Sequence, residues 1–341
     1  MTAFLNSLSR FFLVLLFIFS GVITSAAQGE HEQESGEKLN VSELIIHHVL
    51  DDHVWHFADG LVLNLPIIVY SAEKGLDVFS SANFYDEHHN LVPYNGYKLD
   101  HNHIYLADSG KEVLDLSITK NVAMLFINAT LMLLVFTSVA NAYKRNRGRA
   151  PRGLQSFFEP IILFVRDEIA KPNIGHRYER FFPYLLTLFF FILFGNLLGL
   201  LPGAANLTGN IAVTMVLAIM TFIVTNVSGN RGYWSHIFWT PGLPFVMRLI
   251  ILPVEIIGIF TKPISLMVRL FVAITAGHIV LLSLITLTFV FASYWVGLGS
   301  TLIVLFISLI EILVAAIQAY VFTLFSALYI GMATAEHEEH H

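Results

Sequence analysis

The chain has 341 residues, of which 55% are apolar and only 13% charged, against about 25% charged in ordinary globular domains. A formal net charge of −6 offers no basic surface, so nucleic acid is not an expected partner. The absence of cysteine excludes a disulfide framework, a thiol nucleophile and a cysteine-ligated metal, and apolar runs above about 18 residues predict a polytopic membrane protein.

The first stretch, "MTAFLNSLSRFFLVLLFIFSGVITSAAQGE", has Arg10 in a polar start, an apolar centre and small residues at Ser25, Ala26 and Ala27. That order predicts a signal peptide over 1–27, cut after Ala27; an uncleaved anchor helix is the alternative. In either case the segment that follows is delivered across the membrane.

Residues 28–118 are soluble in character and hold nine of the fifteen histidines. Pro93, "YNGY" and "ADSGKE" read as turns, and "GLVLNLPIIVYS" and "YKLDHNHIYLA" as strands. A short helix is expected over 40–56. This is a small, partly β extracytoplasmic domain. Within it "IIHHVLDDHVWH" (45–56) would, as a helix, set His48 and Asp52, and Asp52 and His56, four residues apart, a spacing open to zinc. A solvated histidine-rich face or a proton-collecting surface fits the same residues.

Residues 119–336 are expected to be an all-α membrane domain. A first span, 121–143, runs straight into Lys144, Arg145, Arg147, Arg149 and Arg152, which mark a cytoplasmic end. Residues 154–180 mix apolar side chains with Glu159, Arg166, Asp167, Glu168 and Lys171, as a cytoplasmic amphipathic helix would. Segments 182–202 and 210–228 read as a hairpin of spans, and Arg231, Arg248 and Lys262 as a further cytoplasmic loop. Two long blocks, 264–296 and 301–334, are joined by a "GLGS" turn at 297–300. A helix of about 34 residues is about 50 Å long against a hydrocarbon core of about 30 Å, which demands tilt. About five spans result, with the N-terminus outside and a cytoplasmic tail at 337–341.

Across the last two blocks the ionisable and amide groups are Arg269, His278, Glu311 and Gln318. Glu311 and Gln318, seven apart, share a face. If the two helices run antiparallel, Arg269 lies level with Gln318 and His278 level with Glu311. A histidine and a carboxylate at one depth can relay protons or simply hold two helices together. Gln318 reads equally as an interhelical hydrogen-bond donor. Arg269 cannot shed its charge, and burying it costs about 3 kcal/mol or more without a partner.

"KPISLMVRLF" (262–271), "FGNLLGLLP" (194–202) and "EILVAAIQAYVFTLFSALYIGMATAEH" (311–337) together resemble the a subunit of the membrane sector of rotary F-type ATP synthases, over about 120–337 and outside the N-terminal domain. The resemblance implies a stator that offers two proton half-channels to a rotating ring of c subunits. It puts Arg269 opposite the ring carboxylates, Gln318 beside it, Ser265 one turn before it, Asn196 in the outer half-channel and Glu255 near the cytoplasmic exit. It implies the c-ring, a b-type peripheral stalk and the whole synthase as partners, lipid around them and a bacterial inner membrane as location. His278 and Glu311 stand exchanged relative to many bacterial members, Ala273 replaces an asparagine and Gly199 an acid found in some. No cofactor is expected, and no GxxxxGK[ST] phosphate loop is present, so nucleotide chemistry belongs to other subunits. A secondary transporter or channel is the alternative function, although no internal repeat supports it; an intramembrane hydrolase would need a metal or serine set at the same depth.

Overall fold

A computed structural model describes residues 51–58, 61–86, 91–100, 103–145, 150–151, 153–201, 203–238, 245–291 and 294–335. The expected signal peptide 1–27, His47, His48 and the tail 337–341 lie outside them. The described residues divide into two compact units, 51–120 with 201–204, and 121–200 with 205–335.

The first unit is built from short strands: β1 (Val54–Ala58), β2 (Leu61–Asn64), β3 (Pro66–Ser71), β4 (Gly75–Ser80), β5 (Tyr97–Asp100), β6 (His103–Leu106) and β7 (Leu114–Asp115). They form antiparallel pairs β1-β2 and β5-β6 and a three-stranded sheet in the order β4-β3-β7. Alternation along β3 buries Ile67, Val69 and Ser71, as period-2 geometry requires. Ile67, Val69, Phe84, Tyr97, Leu99, Ile104 and Leu106 close one core. Within "YNGY", Asn95 and Gly96 both take positive φ, 50° and 73°, and Tyr94 and Tyr97 exchange backbone hydrogen bonds across them, the two-residue turn that Asn-Gly favours.

The helix expected over 40–56 does not extend through its described part. Residues 51–53 are irregular and Val54–Ala58 is a strand, with Val54 opposite Asn64 and Trp55 opposite Leu63. The Asp52 carboxylate accepts from the amides of His53 at 2.7 Å and Val54 at 3.3 Å, a local bond that competes with helix formation. The helical spacing between Asp52 and His56 therefore does not arise, and no group of metal-binding side chains is found among the described residues. His53 is instead buried, its Nε2 2.9 Å from Asp115 Oδ2. Burial alone would raise the Asp115 carboxyl, but hydrogen bonds from His53 and Ser117 outweigh it and hold the group below the usual carboxylate range. Trp55 Nε1 donates to the carbonyl of Gly203 at 2.6 Å, inside the same unit.

The second unit is helical. Helix α1 (Lys120–Arg145) covers the first expected span. The amphipathic stretch is a run of α2 (Leu154–Phe164), a π-helical turn (Val165–Ala170), α3 (Lys171–Ile174) and a 3-10 turn (Gly175–Arg177). It leads into α4 (Tyr178–Gly199), followed by α5 (Ile211–Val227), α6 (Arg231–Phe238), α7 (Phe245–Phe291) and α8 (Tyr294–Thr334). Among the described residues four helical stretches are long and apolar enough to cross a membrane, and α5 with α6, bent by 102°, make a fifth if counted as one span. The chain is a polytopic membrane protein.

Two boundaries differ from the sequence reading. The loop expected around Arg248 is helical, because α7 starts at Phe245 and carries Pro253 and Pro263 inside it. A proline removes one backbone donor and bends a helix, but here it does not end one. "GLGS" is no turn either: residues 297–300 lie within α8, and Ser300 and Thr301 return their hydroxyls to the Gly297 carbonyl. The last two helices thus run to 47 and 41 residues, about 70 and 60 Å at 1.5 Å per residue.

The core of this unit packs Phe158, Val165, Ile169, Leu185, Phe190, Leu266, Leu270 and Phe322 together. Small residues let α8 approach its neighbours: Ala315, Ala319 and Ala327 are fully buried, and a Cβ on Gly331 would overlap the carbonyl of Asn173. Hydroxyls inside the helices mostly bond to their own backbone, as Thr137, Thr187, Ser308, Thr323 and Thr334 do to carbonyls four residues back.

Candidate functional site: polar side chains between the last two helices

On α7 an uncovered stripe of Ser265, Val268, Val272, Ala276 and Ile279 alternates with buried Leu266, Leu270 and Ile274, the three-and-four spacing of an amphipathic helix. Arg269, half-buried, lies at the edge of this side, four residues after Ser265 and seven before Ala276. Its guanidinium carbon lies 4.4 Å from the ring centroid of Phe325, within cation–π range. Among the described residues it has no ion pair and no hydrogen bond.

On α8, Glu311, Gln318 and Phe325 follow at intervals of seven and so share one stripe. The structure brings His278 and Glu311 together: Nδ1 is 3.7 Å from Oε1, with side chains 22% and 10% exposed. Gly277 makes that approach possible, since a Cβ there would meet Glu311 Oε1 at 2.6 Å. Gln318 hydrogen-bonds to no described residue, and Arg269 meets Phe325, two turns beyond it. The lean of helical side chains towards the N-terminus explains the offset. Pointing back along α7, Arg269 reaches residues farther along the antiparallel α8 than its own level.

Asn196, on α4, is 1% exposed and both ends of its amide are taken. Nδ2 donates to the Ala315 carbonyl at 3.2 Å, and Oδ1 accepts from Thr208 Oγ1 at 2.6 Å. Thr208 carries no motif signal in the sequence, yet it fixes which way this amide points. Ser265 is exposed and hydrogen-bonds to no described residue.

Glu255 lies on the N-terminal half of α7, its Oε1 3.9 Å from His236 Nδ1 on α6. Nearby, a small, mostly apolar cavity is lined by Phe222, Ile259 and Leu266 together with Thr225, Lys262 and Tyr329. Thr225 Oγ1 is buried there without a hydrogen-bond partner, and Lys262 Nζ stands 5.5 Å from the Tyr329 ring. His236 and Thr225 were not singled out from the sequence; each became visible only when α5, α6 and α7 met. Chemically, the set comprises one permanent cation among exposed helix positions, one histidine–carboxylate pair and a second acid–histidine pair near a small cavity.

The family model described as ATP synthase A chain matches residues 122–331. A second, described as a domain of unknown function (DUF8433), matches 44–125. Among curated relatives, "ATP synthase subunit a" of Chloroherpeton thalassium is 51% identical over 232 residues, 66% of this chain and 69% of the relative. "ATP synthase subunit a 2" of Chlorobaculum tepidum is 37% identical over 329 residues, 93% of this chain and 81% of the relative. "ATP synthase subunit a" of Anaeromyxobacter sp. is 39% identical over 322 residues, 92% and 75% of the two chains. These alignments reach into the N-terminal unit, beyond the 120–337 of the sequence resemblance. By the extent of the family match and the length shared with such relatives, the chain belongs to the ATP synthase A chain family.

Proposed function

We propose that this chain is the stator subunit through which protons cross the membrane sector of an F-type ATP synthase, with Arg269 as the fixed charge that meets the carboxylates of the c-ring. The observation that carries this reading is an arginine at the edge of an uncovered helix face, between exposed Val268 and Val272, without an acidic partner among the described residues. A guanidinium in an apolar span needs a counter-charge, and a carboxylate arriving from a neighbouring subunit supplies it. While that carboxylate faces Arg269 it stays ionised, because a nearby cation lowers its pKa. It takes up a proton only after moving on. The permanent charge also blocks direct proton passage past its position, since an arginine neither gives up its proton nor accepts another.

Protons reach the ring by way of His278 and Glu311 and leave past Glu255, His236 and the cavity that holds Thr225. Asn196 orients the wall of the outer path rather than carrying protons, because both ends of its amide are occupied. Ser265 lies one turn before the arginine on α7, and Gln318 shares the α8 stripe with Phe325. Each charge that crosses 100 mV releases about 2.3 kcal/mol, so several crossings are needed for each ATP. The protein sits in the bacterial inner membrane with its N-terminal unit outside and its C-terminus in the cytoplasm, beside a b-type stalk.

Arg269→Ala tests the reading. Membranes that carry it are expected to assemble the synthase but make no ATP from a proton gradient, and Arg269→Lys is expected to rescue poorly, because a buried ammonium can lose its proton. Near-normal synthesis with Arg269→Ala would overturn the assignment.

A further inference from the structure

The sheet β4-β3-β7 presents an apolar outer face. Its inner face supplies Ile67 and Val69 to the core. Its outer face presents Ile68 and Tyr70 of β3, Leu76 and Val78 of β4, and Leu114 and Leu116 at and just after β7. The register makes these true neighbours: Tyr70 stands opposite both Leu76 and Leu114, Ile68 opposite Val78, and the Leu116 amide bonds to the Ile68 carbonyl. Tyr70 is 50% exposed and Leu76, Val78, Leu114 and Leu116 are 56–63% exposed. A sheet that faces water on one side alternates apolar with polar residues, and an apolar patch of this extent marks an interaction surface.

The chain itself indicates the partner. From Leu116 only four residues lead to Lys120, where the membrane-spanning α1 begins, a reach of at most about 14 Å. Apolar exposure continues into that helix at Val122, Phe126 and Ile127, side chains available to lipid from the first turns. The outer face bears no acidic or basic side chain, and its one aromatic, Tyr70, is of a type enriched at the membrane–water boundary. We propose that this sheet face docks on the lipid surface at the N-terminal end of α1, so that the N-terminal unit is a membrane-interface module.

The lack of cysteine in the chain makes the test direct. Single cysteines in place of Leu76, Val78 or Leu114 are labelled with bimane in the assembled synthase, in phosphatidylcholine–phosphatidylglycerol vesicles that contain a phosphatidylcholine with a nitroxide near its headgroup. Lys98→Cys and Asp108→Cys, at exposed polar positions, serve as controls, and co-purification of the other subunits verifies assembly. Nitroxide quenching several-fold stronger at the three sheet positions than at the controls is the expected result. Quenching by aqueous iodide instead means that the face meets water, and overturns the proposal. Protection from both quenchers means a protein cover, and disulfide formation between chains by the unlabelled cysteines means a second copy; either outcome also overturns it.

Discussion

A methyl group on Gly277 would fall 2.6 Å from Oε1 of Glu311. The glycine is thus the floor on which that carboxylate rests, and it lies next to His278 in the chain. Gly277→Ala is expected to push the carboxylate off its position while α7, as a helix, gains from the exchange. Proton-driven ATP synthesis should fall by about tenfold to a hundredfold, the scale on which misplacing a reacting group by about 1 Å acts. A shorter acid, Glu311→Asp in the Gly277→Ala background, should recover part of the rate. Unchanged synthesis in Gly277→Ala vesicles would show that the carboxylate position does not matter.

The His278–Glu311 separation of 3.7 Å makes the pair a subject for a double-mutant cycle. Either alanine substitution should slow proton flux strongly. His278→Glu alone faces acid with acid, and Glu311→His alone faces histidine with histidine; each mismatch shifts both groups. Combining the two restores one acid and one base, so the double exchange should outperform both singles. The measurement is ATP synthesis in reconstituted vesicles, with a coupling of about 0.5–3 kcal/mol expected for residues in contact. Strictly additive losses would mean that the two act separately.

Phe325 supports Arg269 from below. Replacing it with leucine keeps an apolar side chain but removes the ring face, a loss of about 0.5–2 kcal/mol of cation–π attraction. Phe325→Leu should leave assembly intact and lower the synthesis rate, whereas Phe325→Tyr should stay close to the parent. Equal effects from leucine and tyrosine would point to packing alone.

Acid should loosen the N-terminal unit through Asp115. Its carboxyl titrates below the usual range in the folded chain, against about 3.9 when unfolded. The stability it contributes is therefore fully present above about pH 4 and disappears as the pH falls through the lowered folded value. Asp115→Asn should destabilise the unit at neutral pH and flatten its pH dependence below about 4. Trp55 fluorescence, in a chain whose other tryptophans are phenylalanine, follows the transition. An unchanged acid profile in Asp115→Asn would exclude this carboxylate.

Much of this could be read from the sequence where one physical signal dominated. Alternation marked β3, and length with apolarity marked α1 and α8. The pairing of His278 with Glu311 follows from running the last two helices antiparallel, but counting outward from "GLGS" would leave the two out of level; α7 ends at Phe291 and α8 starts at Tyr294, which brings them closer in depth. The start of α7 was hidden because Pro253, Pro263, Arg248 and Lys262 carry the ordinary marks of a loop. The Arg269–Phe325 contact was missed because counting levels ignores the direction in which a helical side chain leans. Asn196 was legible as a polar residue in an apolar run, but Thr208, which orients it, looks like any loop threonine. Gly277 gave only the weak signal of a glycine inside a helix.

Hydroxyl groups that already point back at carbonyls of their own helix, as in Thr137, Ser308 and Thr323, need no neighbour to be satisfied in lipid. Such hydroxyls bring little transfer penalty with them, whereas an amide such as Asn128 looks to another helix. Arg269 and Glu311 have no such internal partner. Biogenesis of this subunit is accordingly sequential in its demands: α1 waits for α4, whose Phe191 carbonyl accepts from the Asn128 amide, whereas α7 and α8 are best held at the insertion site until both are present.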